Sequence, residues 1–219
     1  MQKKVVLFDL WMTLVFGLSV DPILTLQVLL KHRKPGEPLD SEFLTKCLTT
    51  DVTNPGRFLK EVAAPFDLKV PSGAVTGFRK LIDDERKAAT AYDDAHQVLT
   101  QLKLHGYRIG LISNLWPFPV RRIFTEMGLG AHFEHLVYSY EVGVRKPNRI
   151  IFDHTAQLFG VEAADCVMVG DSLSSDVEGA LAAGMDAILI DRSGKVAQLD
   201  AKNAHVVRSL TEVQHLLTQ

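Results

Sequence analysis

Residues 166–192 read CVMVGDSLSSDVEGALAAGMDAILIDR. Cys166 to Val169 is a short apolar run that ends at Gly170-Asp171, and Ala187 to Ile190 is a second one. Between them Ser175 to Ala183 has helical spacing and stops before Gly184, a residue that readily ends a helix. Strand, helix and strand in so little chain predict a βαβ unit, whose strands lie parallel because a crossover helix joins them.

The same alternation extends outward in both directions. Val5-Val6-Leu7-Phe8 and Ile109 to Ile112 are further apolar runs, and Leu136-Val137-Tyr138 and His205-Val206-Val207 are weaker strand candidates. Asp94 to His105 before Gly106, and Asn148 to Phe159 before Gly160, read as the intervening helices. The predicted class is α/β, a parallel sheet wound with helices.

Residues 16 to about 90 interrupt the pattern with four segments of helical spacing. Asp21-Pro22 and Asn54-Pro55 are helix starts, with Ile23, Leu26 and Leu30 on one face of the first and Phe58, Val62 and Phe66 on one face of the other. Leu44 with Leu48, and Phe78 with Ile82, mark the remaining two, and Pro35-Gly36, Pro55-Gly56 and Pro71-Ser72-Gly73 punctuate the stretch. The expected organisation is a core from residues 1–15 and 91–219, with an all-helical insert at 16–90.

Composition narrows the function. With 24 basic against 26 acidic side chains in 219 residues, and 11 against 10 within the insert, there is no electrostatic footprint for nucleic acid or an anionic membrane. No apolar run approaches the roughly 20 residues of a membrane helix, and Asp9 breaks the first long one where a secretory signal would need continuity. The expectation is a soluble cytoplasmic protein acting on a small molecule, with Cys47 and Cys166 as buried free thiols.

Ligands of parallel sheets bind beyond the carboxyl ends of the strands. Those ends deliver Asp9, Ser113-Asn114, and Gly170-Asp171 followed by Ser174, Ser175 and Asp176, while Val144-Arg145-Lys146-Pro147 lies just before a helix. Three carboxylates suit a hard cation such as Mg2+, a lysine offsets phosphoryl charge, and a carboxylate nucleophile forms an acyl phosphate. The reading is phosphoryl transfer through Asp9. Each residue taken alone has an ordinary use: Asp176 at a helix N-terminus, Ser175 as a cap, Ser113-Asn114 as a turn, Lys146 on the surface, and Trp11 in the core or as a pocket wall.

These stretches resemble the motifs of the haloacid dehalogenase superfamily. Asp9 through Thr13 resembles its first motif, Ser113 in LISN its second, Lys146 in VGVRKP its third, and Asp171 with Asp176 in VGDSLSSD its fourth. The resemblance implies a Rossmann-like core with a helical cap that closes over the site. It further implies that Asp9 is nucleophile and metal ligand, that the Trp11 carbonyl faces Mg2+, that Asp171 is a metal ligand with Asp176 supporting the metal shell, and that Ser113 and Lys146 bind the transferring group; Asn114 and Trp11 are expected beside them on the substrate. Trp11 departs from the pattern, because phosphatases of the family carry there the aspartate that protonates the leaving group. Members with an aromatic residue at that place include the 2-haloacid dehalogenases, but these lack the acid that Asp171 provides, and Arg33 and Arg57 give no anchored halide cradle. The expected activity is a Mg2+-dependent phosphatase acting on a small phosphorylated metabolite. The alternatives are a carbon-halogen hydrolase using Asp9 and a catalytically weak protein that binds a phosphorylated ligand.

Overall fold

The computed structural model describes residues 4–17, 21–118 and 120–219, so the first three residues of the expected 1–15 segment and residues 18–20 of the insert lie outside the described residues. The strands in chain order are β1 (Val5–Phe8), β2 (Val15–Phe16), β3 (Thr90–Ala91), β4 (Arg108–Ser113), β5 (His135–Tyr138), β6 (Cys166–Gly170), β7 (Asp186–Ile190) and β8 (Ala204–Val207). Six of them form one sheet in the order β5-β4-β1-β6-β7-β8, and every pair is parallel.

β1 sits in the middle, fully buried, because both of its faces are covered. Val6 and Phe8 point into a cluster with α5 (Ala95–Leu104) and α10 (Leu210–Thr218), through residues such as Leu99 and Leu210. Val5 and Leu7 point the other way, toward Phe152 of α8 (Arg149–Phe159) and Ala180 of α9 (Gly179–Ala183). The period of two with apolar residues at every position is what makes the VVLF run continuous rather than alternating.

The insert folds as α1 (Pro22–Leu29), α2 (Ser41–Leu48), α3 (Pro55–Ala63) and α4 (Ala74–Ala88). Asp21 caps α1 by accepting from the Ile23 and Leu24 amides, and Asn54 caps α3 through the Arg57 amide, as the proline-led starts predict. Asp40 caps α2 in the same way. Its buried centre includes Leu26, Phe43, Phe58, Val62 and Phe78.

Two features modify the expected division. The insert begins and ends in an antiparallel ribbon, with Val15 opposite Ala91 and Phe16 opposite Thr90. Two-residue strands carry no periodic signal, so residues 16 and 90 read from sequence as helix flanks. Gly17 follows at φ +116, and a Cβ there would lie 1.8 Å from the Ala88 carbonyl oxygen, so the two crossing chains touch. The second feature is that Trp116 and Phe118, from the loop after β4, lie in the insert's centre, with Trp116 5.4 Å and Phe118 5.3 Å from the Phe78 ring. No helix among the described residues is long and apolar enough to cross a membrane.

Candidate active site

Strand ends deliver the acids as the sheet register requires. β1 and β4 pair Phe8 with Leu111, which puts Asp9 close to the end of β4, where the Ser113 hydroxyl donates to Asp9 Oδ1 at 2.7 Å. Behind Asp9 the chain turns sharply, with Met12 at φ 59 and its amide donating to the Val15 carbonyl at 2.6 Å. Trp11 is half-buried against the sheet core and Met12 is exposed.

Lys146 is the centre of the arrangement. It is fully buried, and its ammonium donates to Asp9 Oδ1 at 2.8 Å, Asp176 Oδ1 at 2.5 Å and the Ile112 carbonyl at 2.7 Å, one acceptor for each of its three donors. Burial alone would depress the ammonium, yet Asp176 and Asp9 more than offset that and hold it above its ordinary value. Asn114 places it, since its carboxamide donates to the Lys146 carbonyl at 3.0 Å and accepts from the Lys146 amide at 2.7 Å. The side chain expected on the substrate is thus committed to the lysine's backbone. Ser113 and Lys146 both hold Asp9 Oδ1, and Oδ2 has no partner among the described residues.

After β6 the chain enters a wide, π-type turn over Leu173–Glu178, a geometry enriched at functional sites. Ser172, rather than Ser175, is the capping residue, accepting from the Ser175 amide at 3.1 Å. The turn carries Asp176 back over Gly170, where a Cβ would meet the Asp176 carboxyl carbon at 2.3 Å, so the residue before Asp171 has to be glycine. Asp176 Oδ2 accepts from the Ser172 amide at 3.0 Å while its Oδ1 holds Lys146, so both oxygens are engaged.

Asp9, Asp171 and Asp176 each bring an oxygen within 4.8 Å of the others. This all-oxygen set fits a hard divalent cation. Asp171 is solvent-accessible as a residue, but its carboxyl is crowded: burial, followed by the nearby Asp9 and Asp176 charges, pushes it up to about 7. A cation would relieve that repulsion, and Asp9 and Asp171 have the uncommitted oxygens to receive it.

A cavity of about 390 Å3 opens between this end of the sheet and the insert, lined by Trp11, Met12, Asn114, Leu115 and Trp116 on one side and by residues of α1, α2 and α4 on the other. Arg33, expected as a halide candidate, instead pairs with Asp40 at 2.9 Å, and neither it nor Arg57 lines the cavity. Asp21 and Glu85 do line it. Glu85 was legible as an anomaly, an acid two turns after Phe78 on the buried stripe of α4. Ser172, whose amide holds Asp176, carries no such signal.

A HAD phosphatase from Thermococcus onnurineus has a solved structure 29% identical in sequence, with TM-score 0.65 over 98% of this chain and 97% of that one. A 2-haloacid dehalogenase from Pseudomonas syringae superposes with TM-score 0.69 over 99% and 98% at 22% identity, a likeness of fold alone. The glyceraldehyde 3-phosphate phosphatase of Methanopyrus kandleri is 30% identical over 145 residues, 66% of this chain, and the match spans 60% of that relative's own length. The sequence model of one hydrolase family matches residues 3–184, a span holding all four motif stretches and the strands that carry them. The chain belongs to the haloacid dehalogenase-like hydrolases.

Proposed function

We propose that this protein is a Mg2+-dependent phosphatase of small phosphorylated metabolites, working through an aspartyl-phosphate on Asp9 in the cytoplasm. The observation that carries it is the state of Asp9: Ser113 and Lys146 hold one carboxylate oxygen, and the other has no hydrogen-bond partner among the described residues. One carboxylate oxygen of Asp9 attacks phosphorus, a bond forms between them, and the bond to the ester oxygen breaks; water then cleaves the acyl phosphate and restores Asp9. Lys146 and the Ser113 hydroxyl stay beside the attacked group and offset its charge. Mg2+, held by Asp9 and Asp171, with the Trp11 carbonyl as a further oxygen and Asp176 behind, would supply charge neutralisation at the phosphoryl oxygens.

Residues 16–90 serve in this reading as the cap that shelters the site from water. Trp11 sets its character, because an indole N–H releases no proton near neutral pH. The leaving alcohol therefore departs without acid assistance from that position, and esters with good leaving groups are favoured. The cavity lacks a cationic side chain for a departing halide among the described residues, which weighs against carbon-halogen cleavage. The test is 4-nitrophenyl phosphate beside 2-chloropropionate, each with Mg2+ and with chelator. Phosphate release that chelator abolishes is expected, and chloride release that persists in chelator refutes the reading.

A further inference from the structure

The mechanism above makes no use of Glu85, although it is among the most deeply buried acids of the chain, at 4% exposure. Its Oε2 accepts from the Trp116 indole N–H at 3.1 Å, and its Oε1 has no hydrogen-bond partner among the described residues. An apolar side chain at this place would continue the stripe of α4 that holds Phe78. A buried carboxyl without a cation is costly, so a role facing the cavity accounts for it better than packing does.

The rest of the cavity wall says what would meet it. Trp11, Leu44, Leu48 and Trp116 are apolar faces, Asp21 adds a second carboxyl, and no Lys, Arg or His lines the space among the described residues. Asp21 already accepts two helix-capping amides through Oδ1, so its charge reaches the cavity chiefly through its field. A ligand group with an apolar body and a positive end fits these walls. A carboxylate end would face two acids.

Resting on the phosphatase reading, we propose that Glu85 is the specificity-determining residue of this cavity, selecting phosphate monoesters whose leaving alcohol has an apolar body ending in a protonated amine. In the empty cavity burial pushes the Glu85 carboxyl up to about 8, with the Trp116 hydrogen bond opposing and the Asp21 charge adding to the shift. An arriving ammonium favours the ionised carboxylate and replaces the partner that Oε1 lacks.

The test uses three matched esters, 4-(aminomethyl)phenyl, 4-methylphenyl and 4-(carboxymethyl)phenyl phosphate, and the corresponding benzylphosphonates as non-reacting ligands. The full-length protein with Mg2+ should favour the amine over the methyl compound by about 10- to 100-fold in kcat/KM, mostly through KM, and should disfavour the carboxylate. The amine-to-methyl ratio should fall close to one in Glu85→Gln, and Glu85→Leu gives the same readout should the glutamine variant fold poorly. Calorimetric binding of the phosphonates should follow the same order. If none of the esters is hydrolysed, the phosphatase reading fails and the phosphonates decide alone: an amine preference lost in Glu85→Gln upholds the role of Glu85. A ratio at or below one in the wild type, a ratio unchanged in both variants, or no phosphonate binding at all overturns it.

Discussion

Replacing Lys146 by methionine keeps most of the side chain's length and removes the positive charge that lies between Asp9 and Asp176. The ammonium is fully buried and makes three hydrogen bonds, at 2.8 Å, 2.5 Å and 2.7 Å. Taking one partner from a buried ion pair costs about 3 to 5 kcal/mol, because the other charge is left uncompensated. At about 1.4 kcal/mol per tenfold, the folding equilibrium should fall by roughly 10²- to 10⁴-fold. Urea unfolding in metal-free buffer at pH 8 and pH 5.5 measures this. Burial already raises the Asp176 carboxyl against the opposing pull of Lys146, and without the ammonium that rise is no longer opposed, so its stabilising contribution is present at low pH and lost as pH rises through the raised folded value. The deficit of Lys146→Met should therefore be larger at pH 8 than at pH 5.5. Combining it with Asp176→Asn removes one of the stranded charges and should recover more than about 1 kcal/mol relative to additive effects. A variant within about 0.5 kcal/mol of wild type at pH 8, or a deficit equal at both pH values, would refute the reasoning.

Magnesium should raise the thermal midpoint of the wild type by mass action, and Asp171→Asn should not respond. Because Asp171 lies near 7 in the metal-free protein, well above its unfolded value, its own contribution to stability is lost as pH rises from about 4 through 7, and magnesium affinity should weaken as pH falls below 7 in calorimetric titrations at pH 6, 7 and 8. Trp11→Asp, once shown to be folded, should accelerate alkyl phosphates more than aryl phosphates, up to the roughly 10²- to 10⁴-fold that acid assistance supplies; equal effects on both classes would count against the role given to Trp11. Trp116→Ala should cost about 3 to 5 kcal/mol in denaturant unfolding although the residue lies outside the insert, and deletion of residues 16–90 should leave a core that exposes Trp116 and Phe118 and binds hydrophobic dye.

The four strongest apolar runs in the sequence are four central strands, because a parallel strand covered on both faces is apolar at every position and therefore visible without neighbours. Asp9 and Asp171 were legible for a related reason: each is the first charge after such a run, and Asp176 follows five residues beyond the second. The partnerships were not. That Lys146 is buried between two acids depends on the fold returning residue 146 to the ends of β1 and β6, and nothing local to VGVRKP marks it. The Asn114 carboxamide similarly looks available until the 146 backbone is seen against it. The β2–β3 ribbon is too short to carry a pattern, and the docking of Trp116 and Phe118 into the insert is a contact between segments that sequence spacing assigns to different units.

The strand order has a consequence for how the chain is made. β1 precedes every other strand of the sheet, yet its two neighbours begin at residues 108 and 166. At roughly 10 residues per second of synthesis, its first edge waits about 10 s for β4 and its second about 16 s for β6. Throughout that interval VVLF is an apolar segment with unpaired amides and carbonyls on both sides, the kind of edge that recruits other chains. The helices of residues 22–88 are completed during the wait, but their centre still lacks Trp116 and Phe118. On the ribosome the nascent protein therefore carries two adhesive surfaces at once, and Asp9, attached to the first of them, meets Asp176 only after both can be covered.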